Sequence, residues 1–301
     1  MNPISFTAIV AAYDRPQATC ATIRALQACV PPPAEILVHL DNNADFELPD
    51  GVRILKSNTN IGPGGGRNRM IRESRNEWIA SFDDDSFPVL PDYFSRLAEA
   101  VQRHPEAGVI AAIVRHRDPR HDAPSSGVDR EVASFIGCGC TYRKSAYLQT
   151  SGYVPLPVAY GMEEIDLALQ LHQQAIPIFE CADLDVFHDT DLDHHHSSRI
   201  TSGSIMNQAL LAWLRYPVSS LPYGVLQWLN KGLDNLRRRR YAGTFRGLFA
   251  TPFHLWKYRK LRKPVSHAVL RSFRDLVRFN GRPLPRREAG STPILSPTAR
   301  P

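Results

Sequence analysis

The chain has 301 residues, 43% of them hydrophobic and 22% charged, which allows one large globular domain with an extension, or two domains, and excludes a chain disordered throughout. Its net charge of +6 is unevenly spread: Lys231 to Arg287 holds 17 Lys or Arg against two acids, or +15, residues 288 to 301 cancel, and the first 230 residues are left at −9. Parts of opposite sign are expected to meet different partners. Five cysteines, including Cys138-Gly139-Cys140, lack metal-finger spacing and read as reduced thiols of a cytosolic protein. Met1-Asn2-Pro3 leads directly into a strand, and no apolar run reaches the ~18 residues of a spanning helix, so the chain is expected to be soluble or peripheral.

In chain order, Phe6 to Ala12 is a continuous apolar, β-branched run typical of a buried parallel strand. The turn Tyr13-Asp14-Arg15-Pro16 and a helical pattern through Ala25 follow. Strands are predicted over Glu35 to Leu40, ending at Asp41, and over Val52 to Leu55. A glycine-rich loop, Asn60 to Gly66, precedes a helix over Arg67 to Arg75, the strand Trp78 to Phe82, a helix over Tyr93 to His104 and a strand over Val109 to Val114. Ser134 to Tyr142 reads as a strand, Glu163 to Gln174 as a helix, and Ile176 to Cys181 and Asp185 to His188 as short strands. Beyond Ile205 the periodicity is helical, with Met206 to Tyr216 and then segments ending near Arg240, Leu261 and Phe279. The tail from Gly281 to Pro301, rich in Pro, Arg and Ser, is expected to be unstructured. Strands alternating with helices imply an α/β sandwich around a mostly parallel sheet, with ligands at the carboxyl ends of strands, where Tyr13, Asp41 and Asp83 fall.

Three consecutive carboxylates, Asp83-Asp84-Asp85, end an apolar strand. Charges so crowded repel one another, and a cation would relieve them. Strand alternation puts Asp83 and Asp85 on one side and Asp84 on the other, an Asp-x-Asp pair of hard oxygen ligands suited to Mg²⁺ or Mn²⁺ beside phosphate oxygens. The loop Asn60 to Gly66, with Arg67 and Arg69 after it, has the backbone freedom and charge of a pyrophosphate cradle, but lacks the Lys-Ser/Thr of a P-loop. Glu163, Glu164 and Asp166 open a helix; they complement its dipole, and one glutamate could face the end of the sheet as a general base. His188 ends an apolar strand and is a candidate neighbour of the metal. His194-His195-His196, among Asp189, Asp191 and Asp193, reads as a polar loop able to fold over the site.

The order of these features, Ala12-Tyr13-Asp14, Asp41-Asn42-Asn43, Asn60 to Arg69, Asp83-Asp84-Asp85, Glu163-Glu164-Ile165-Asp166-Leu167 and His188, resembles the family 2 glycosyltransferases over roughly residues 4 to 215. The resemblance implies a GT-A nucleotide-diphospho-sugar transferase domain over 1–215; charge and periodicity leave a basic helical extension over 216–280 and a tail over 281–301. It implies a donor site at Ala12, Tyr13, Asp14, Asp41, Gly65, Arg67, Asp83 and Asp84. Within it Tyr13 and Asp41 lie near the nucleobase, Arg67 on the diphosphate side and Asp83 near ribose and metal. Mn²⁺ or Mg²⁺ would be held by Asp83, Asp85 and His188, and Glu164 would be the base, with Glu163 as the alternative and Asp166 in the same catalytic motif. Glu164 stands where the family usually has Asp, and Gln170 where members often carry Arg. The activity implied is inverting transfer from a UDP- or dTDP-sugar to a glycan or lipid-linked acceptor. A sugar-phosphate nucleotidyltransferase is the runner-up, although its Lys-bearing first turn is missing here; a non-catalytic nucleotide-sugar binder is a third reading.

In the extension, Val269, Leu270, Phe273, Leu276 and Val277 share a helical face beside Arg271, Arg274 and Arg278. Phe245, Phe249, Phe253 and Trp256 form a stripe beside Arg246, Lys257 and Lys260. This pattern fits an anionic membrane surface on the cytoplasmic side better than nucleic acid, or helices that pack on the domain with their charge in water.

Overall fold

Apolar residues on both sides of successive strands force the sheet to be covered twice. On β1 (Phe6–Ala12), Phe6, Ala8, Val10 and Ala12 enter one core and Ile9 the other. The computed structural model describes residues 4–122, 127–190, 197–279 and 282–283. After β1 come α1 (Pro16–Gln27), β2 (Glu35–Leu40), β3 (Arg53–Lys56), α2 (Gly62–Glu73), β4 (Trp78–Asp83), β5 (Ser86–Pro88), α3 (Tyr93–Arg103) and β6 (Val109–His116). The second half adds β7 (Arg130–Glu131), β8 (Cys140–Arg143), α4 (Lys144–Tyr147), α5 (Glu163–Gln173) and β9 (Ile178–His188). It closes with α6 (Ser198–Arg215), α7 (Leu221–Arg237), α8 (Tyr241–Tyr258), α9 (His267–Arg278) and β10 (Arg282–Pro283).

The sheet runs β10-β7-β9-β6-β8-β4-β1-β2-β3, with β5 paired to β9. It is an α/β sandwich, parallel from β4 through β3 and mixed beyond, because β8 enters antiparallel between β4 and β6. Helices α1 and α3 cover one face; α2, α5, α6 and α9 cover the other. The two short strands expected near Cys181 and His188 are one strand, β9, whose register with β6 shifts between Ala111 and Ile113. The predicted helix over Met206 to Tyr216 begins earlier, at Ser198, where the Ser197 hydroxyl accepts the Ile200 N–H. The helices of the extension pack on α5 and α6. No helix among the described residues is long and apolar enough to cross a membrane, and all five cysteines are free. The His194–His196 tract and most of the tail lie outside the described residues.

The glycine-rich segment is not a loop. It forms the first turns of α2, and neighbours fill the space where side chains would stand. A Cβ on Gly64 would lie 2.9 Å from Tyr153 Cβ and 2.9 Å from Glu163 Oε2; one on Gly66 would lie 2.6 Å from His39 Nδ1. Gly64→Ala is therefore expected to destabilise the fold. Helix propensity favours Ala by ~1 kcal/mol, but overpacking against an atom as close to the backbone as Tyr153 Cβ costs about 1–3 kcal/mol. A lower urea midpoint checks this, and a raised midpoint would refute the packing argument.

Candidate active site

The carboxyl ends of the parallel strands bring the acidic triplet together with the first βα turn. β4 stops at Asp83, whose N–H donates to Ser86 Oγ at 2.8 Å, so Asp84 and Asp85 form a turn and strand alternation does not extend over them. Arg15 reaches across from the start of α1. Its Nε donates to Asp84 Oδ2 at 3.0 Å and its Nη1 to Asp85 Oδ2 at 2.6 Å. Asp83 pairs instead with Arg67. Two arginines thus supply part of the positive charge that the sequence assigns wholly to a metal. Burial still pushes Asp84 up to about 6, against the pull of Arg15.

Asp85 differs. Burial raises its pKa, but His188 and Arg15 outweigh that and hold it below the usual carboxylate range. Its Oδ1 is buried without a hydrogen-bond partner and stands 3.2 Å from His188 Nε2. That carboxylate oxygen and imidazole nitrogen are two donor atoms that could face one divalent cation, and the donor set suits Mn²⁺ at least as well as Mg²⁺. Asp83 and Cys138 join the cluster: ligand atoms of Asp83, Cys138 and His188 lie within 4.8 Å of one another. Burial pushes the Cys138 thiol well up, so it stays protonated and is a poor ligand for a hard cation.

Arg67, expected on the diphosphate side, is buried, with 2% of its side chain exposed. Its Nε donates to Ser81 Oγ at 3.1 Å, its Nη1 to Glu163 Oε1 at 2.6 Å, and its Nη2 to Asp83. One guanidinium therefore ties the end of β4 to the start of α5. Glu163 is buried in this pair and its Oε2 has no partner; burial outweighs Arg67 and pushes its pKa up to about 8. Glu164 is only partly buried. Its Oε1 accepts the Gly137 N–H at 3.3 Å, and its pKa is also raised, first by burial and against the pull of Arg67. Gly137 has no room for a side chain, since a Cβ would stand 2.9 Å from Glu164 Oε1 and 3.0 Å from the Arg67 guanidinium.

The remaining expected residues divide by exposure. Tyr13 is 43% exposed and accepts from Asn42 Nδ2 at 3.0 Å, Asp14 is exposed, and Ala12 is buried in the sheet. Asp41 is buried; it accepts from Ser57 Oγ at 2.5 Å, Gly62 N at 2.9 Å and Ile61 N, so it fixes the entry to α2. Gly65 sits inside α2, its missing Cβ replaced by Ile61. Asp166 is fully buried and bound by Arg215, at 2.5 Å to Nε and 3.0 Å to Nη2, and by Gln170 Nε2 at 3.0 Å. It joins α5 to α6 and is not brought to the cluster of Asp83, Asp85 and His188. Gln170 also holds Ser151 and Gly152. Sequence reasoning missed Arg15, Ser81, Gly137 and Arg215. Arg15 alone carried a signal, a cation in the first βα turn of a chain with an acidic strand end.

The model of "Glycosyl transferase family 2" matches residues 7–147. "Succinoglycan biosynthesis protein ExoO" of Rhizobium meliloti (strain 1021) is 34% identical over 114 residues, 36% of this chain, and the match spans only 32% of that relative's length. Among solved structures, GalNAc-T7 with UDP, GalNAc and Mn²⁺ has a TM-score of 0.57 at 10% identity, covering 72% of this chain and 49% of that one. The mannosyltransferase PcManGT of Pyrobaculum calidifontis, with GDP-Man and Mn²⁺, has a TM-score of 0.53 at 13% identity, covering 91% and 86%. S. aureus TarS 1-349 has a TM-score of 0.51 at 13% identity, covering 85% and 92%. At these identities the structural likenesses establish the fold, a GT-A architecture shared with transferases.

Proposed function

We propose that this chain, whose residues 7–147 match the model of glycosyl transferase family 2, belongs to that family and transfers a sugar, with inversion, from a nucleoside diphosphate donor to a hydroxyl of a glycan or lipid-linked acceptor. The observation that carries this reading is the partly buried Glu164, whose carboxylate accepts the Gly137 N–H beside the Arg67 bridge that leads to the acidic strand end. Glu164 takes the proton of the acceptor hydroxyl as its oxygen bonds to the anomeric carbon from the face opposite the leaving group. The bond from that carbon to the diphosphate oxygen breaks, and its electron pair leaves with the diphosphate. Glu163 stays with Arg67 and positions the start of α5; Asp166, also on α5, does the same through Arg215 of α6. The exposed Tyr13 ring lies against the nucleobase of a UDP- or dTDP-sugar, with Asp41 holding the wall beside it. Asp83, Asp85 and His188 would hold Mn²⁺ or Mg²⁺, which supplies charge neutralisation for the departing diphosphate.

Donor binding is accordingly expected to depend on divalent metal. By isothermal titration, UDP should bind at least ~10-fold more tightly with Mn²⁺ than with EDTA, about 1.4 kcal/mol, and Asp85→Asn should erase that difference while keeping the fold. Equal UDP affinity with and without metal in the parent protein would defeat the metal assignment. Absence of any Mn²⁺-dependent donor hydrolysis would favour a non-catalytic binder.

A further inference from the structure

Helix α8 is built inside out. Its buried residues are small, Gly243, Thr244, Gly247 and Thr251, and recur at helical spacing on one face. That face lies directly on α6: a Cβ on Gly243 would stand 2.7 Å from Thr201 Cβ, and one on Gly247 2.9 Å from the Ser202 carbonyl oxygen. The large side chains point the other way. Phe245, Phe249, Phe253 and Trp256 are 51%, 83%, 67% and 58% exposed. α7 repeats the pattern, with Gly224 packed on Ala212 and Leu226, Leu229 and Leu233 facing outward. The aromatic stripe is thus left bare, together with an aliphatic one, and clustered exposed apolar side chains of this kind mark interaction surfaces. The bland packing reading holds for α9 instead, where Leu270, Phe273 and Leu276 are buried and His172 meets Phe273 with ring centroids 5.8 Å apart.

Charge identifies the occupant. From Lys231 to Lys263 there are eleven Lys or Arg and one acid, Asp234, which is paired to Arg238 at 3.0 Å. Arg246, Lys257 and Lys260 are exposed on or just beyond α8, and the Arg259 guanidinium covers the Trp256 ring at 4.3 Å. We propose that the outer face of α7 and α8 docks on an anionic lipid membrane, the aromatic and Leu side chains entering the acyl boundary and the Lys and Arg heads meeting lipid phosphates. A second copy of this chain would set two strongly basic surfaces against each other with one acid apiece. Nucleic acid would leave the aliphatic side chains of α7 without a base to stack on. The inference deepens the proposed function by placing its acceptor at a lipid surface, while docking itself can be measured without transfer.

The test is co-sedimentation of the full chain with vesicles of phosphatidylcholine alone and of an equal mixture of phosphatidylcholine and phosphatidylglycerol. The parent should bind only the anionic vesicles, and added salt should weaken binding. Phe249→Ser/Phe253→Ser/Trp256→Ser should reduce affinity on the order of 10²-fold, and Arg246→Gln/Lys257→Gln/Lys260→Gln at least ~10-fold, with unchanged melting temperature because none of these side chains is buried. UDP titration in Mn²⁺ on the same variants keeps the two readings apart: unaltered UDP binding with lost vesicle binding supports docking, whatever the fate of the transferase reading. Failure of the parent to bind anionic vesicles, undiminished binding by the triple serine variant, or a dimer in sedimentation equilibrium that the triple serine variant abolishes would each overturn the proposal.

Discussion

Glu164→Gln should fold normally, bind UDP and Mn²⁺ as tightly as the parent, and transfer sugar roughly 10² to 10⁴ times more slowly, the range for loss of a general base. The amide keeps the size of the side chain and can still accept the Gly137 N–H, but cannot take the acceptor's proton, so the loss should fall on kcat. Because burial raises the Glu164 carboxyl above its ordinary value and only the ionised form is a base, the parent's transfer rate should climb with pH along a limb shifted above 4.5. That limb should disappear in the variant. Glu163→Gln is the comparison: it leaves the Glu164 carboxylate in place, and its transfer should fall less than ~10-fold if Glu163 only positions α5. An inactive Glu163→Gln with an active Glu164→Gln would move the base one residue back.

Arg67→Met should cost stability rather than a single catalytic step. It removes the guanidinium from between two carboxyl groups, and stripping one partner from a buried pair in which both groups are ionised costs about 3–5 kcal/mol. Asp83 is partly exposed and can rehydrate, so Glu163, 4% exposed, carries most of the penalty. The pH dependence has a definite sign. Glu163 is held above its ordinary value of 4.5, at about 8 in the parent, so its contribution is fully present below 4.5 and is lost as pH rises through 8. Without Arg67 the folded value climbs further and the loss deepens. Urea denaturation should therefore show a deficit that is small near pH 4.5 and grows above 8, and Arg67→Met/Glu163→Gln should recover most of it. A deficit independent of pH would mean that Arg67 stabilises through packing alone.

The residues that sequence reasoning singled out fared differently according to how local their signal was. Strand ends at Ala12, Leu40 and Asp83 were readable because an apolar run that stops at a polar residue is a property of a few consecutive positions. The glycine segment was misread because a helix start and a loop share that composition; only the close approach of Tyr153, Glu163 and His39 selects the helix. Arg67 was placed by analogy of charge with a phosphate, whereas the fold spends that charge on Asp83 and Glu163.

The amino-acid sequence alone determined the α/β class, the family resemblance that the match over residues 7–147 supports, the acidic cluster with His188 as its neighbour, and the basic character of the extension, because periodicity, composition and motif order are written along the chain. Tertiary structure decided which carboxylates find an arginine. Asp84 and Asp85 fall to Arg15, Asp83 and Glu163 to Arg67, and Asp166 to Arg215, partners 15 or more positions away that no local pattern announces. It also decided the fate of the aromatic stripe. Sequence left open whether that face meets a membrane or packs on the domain; α8 packs through Gly and Thr, because close contact with the α6 backbone admits no larger side chain, and the aromatic rings are left outward.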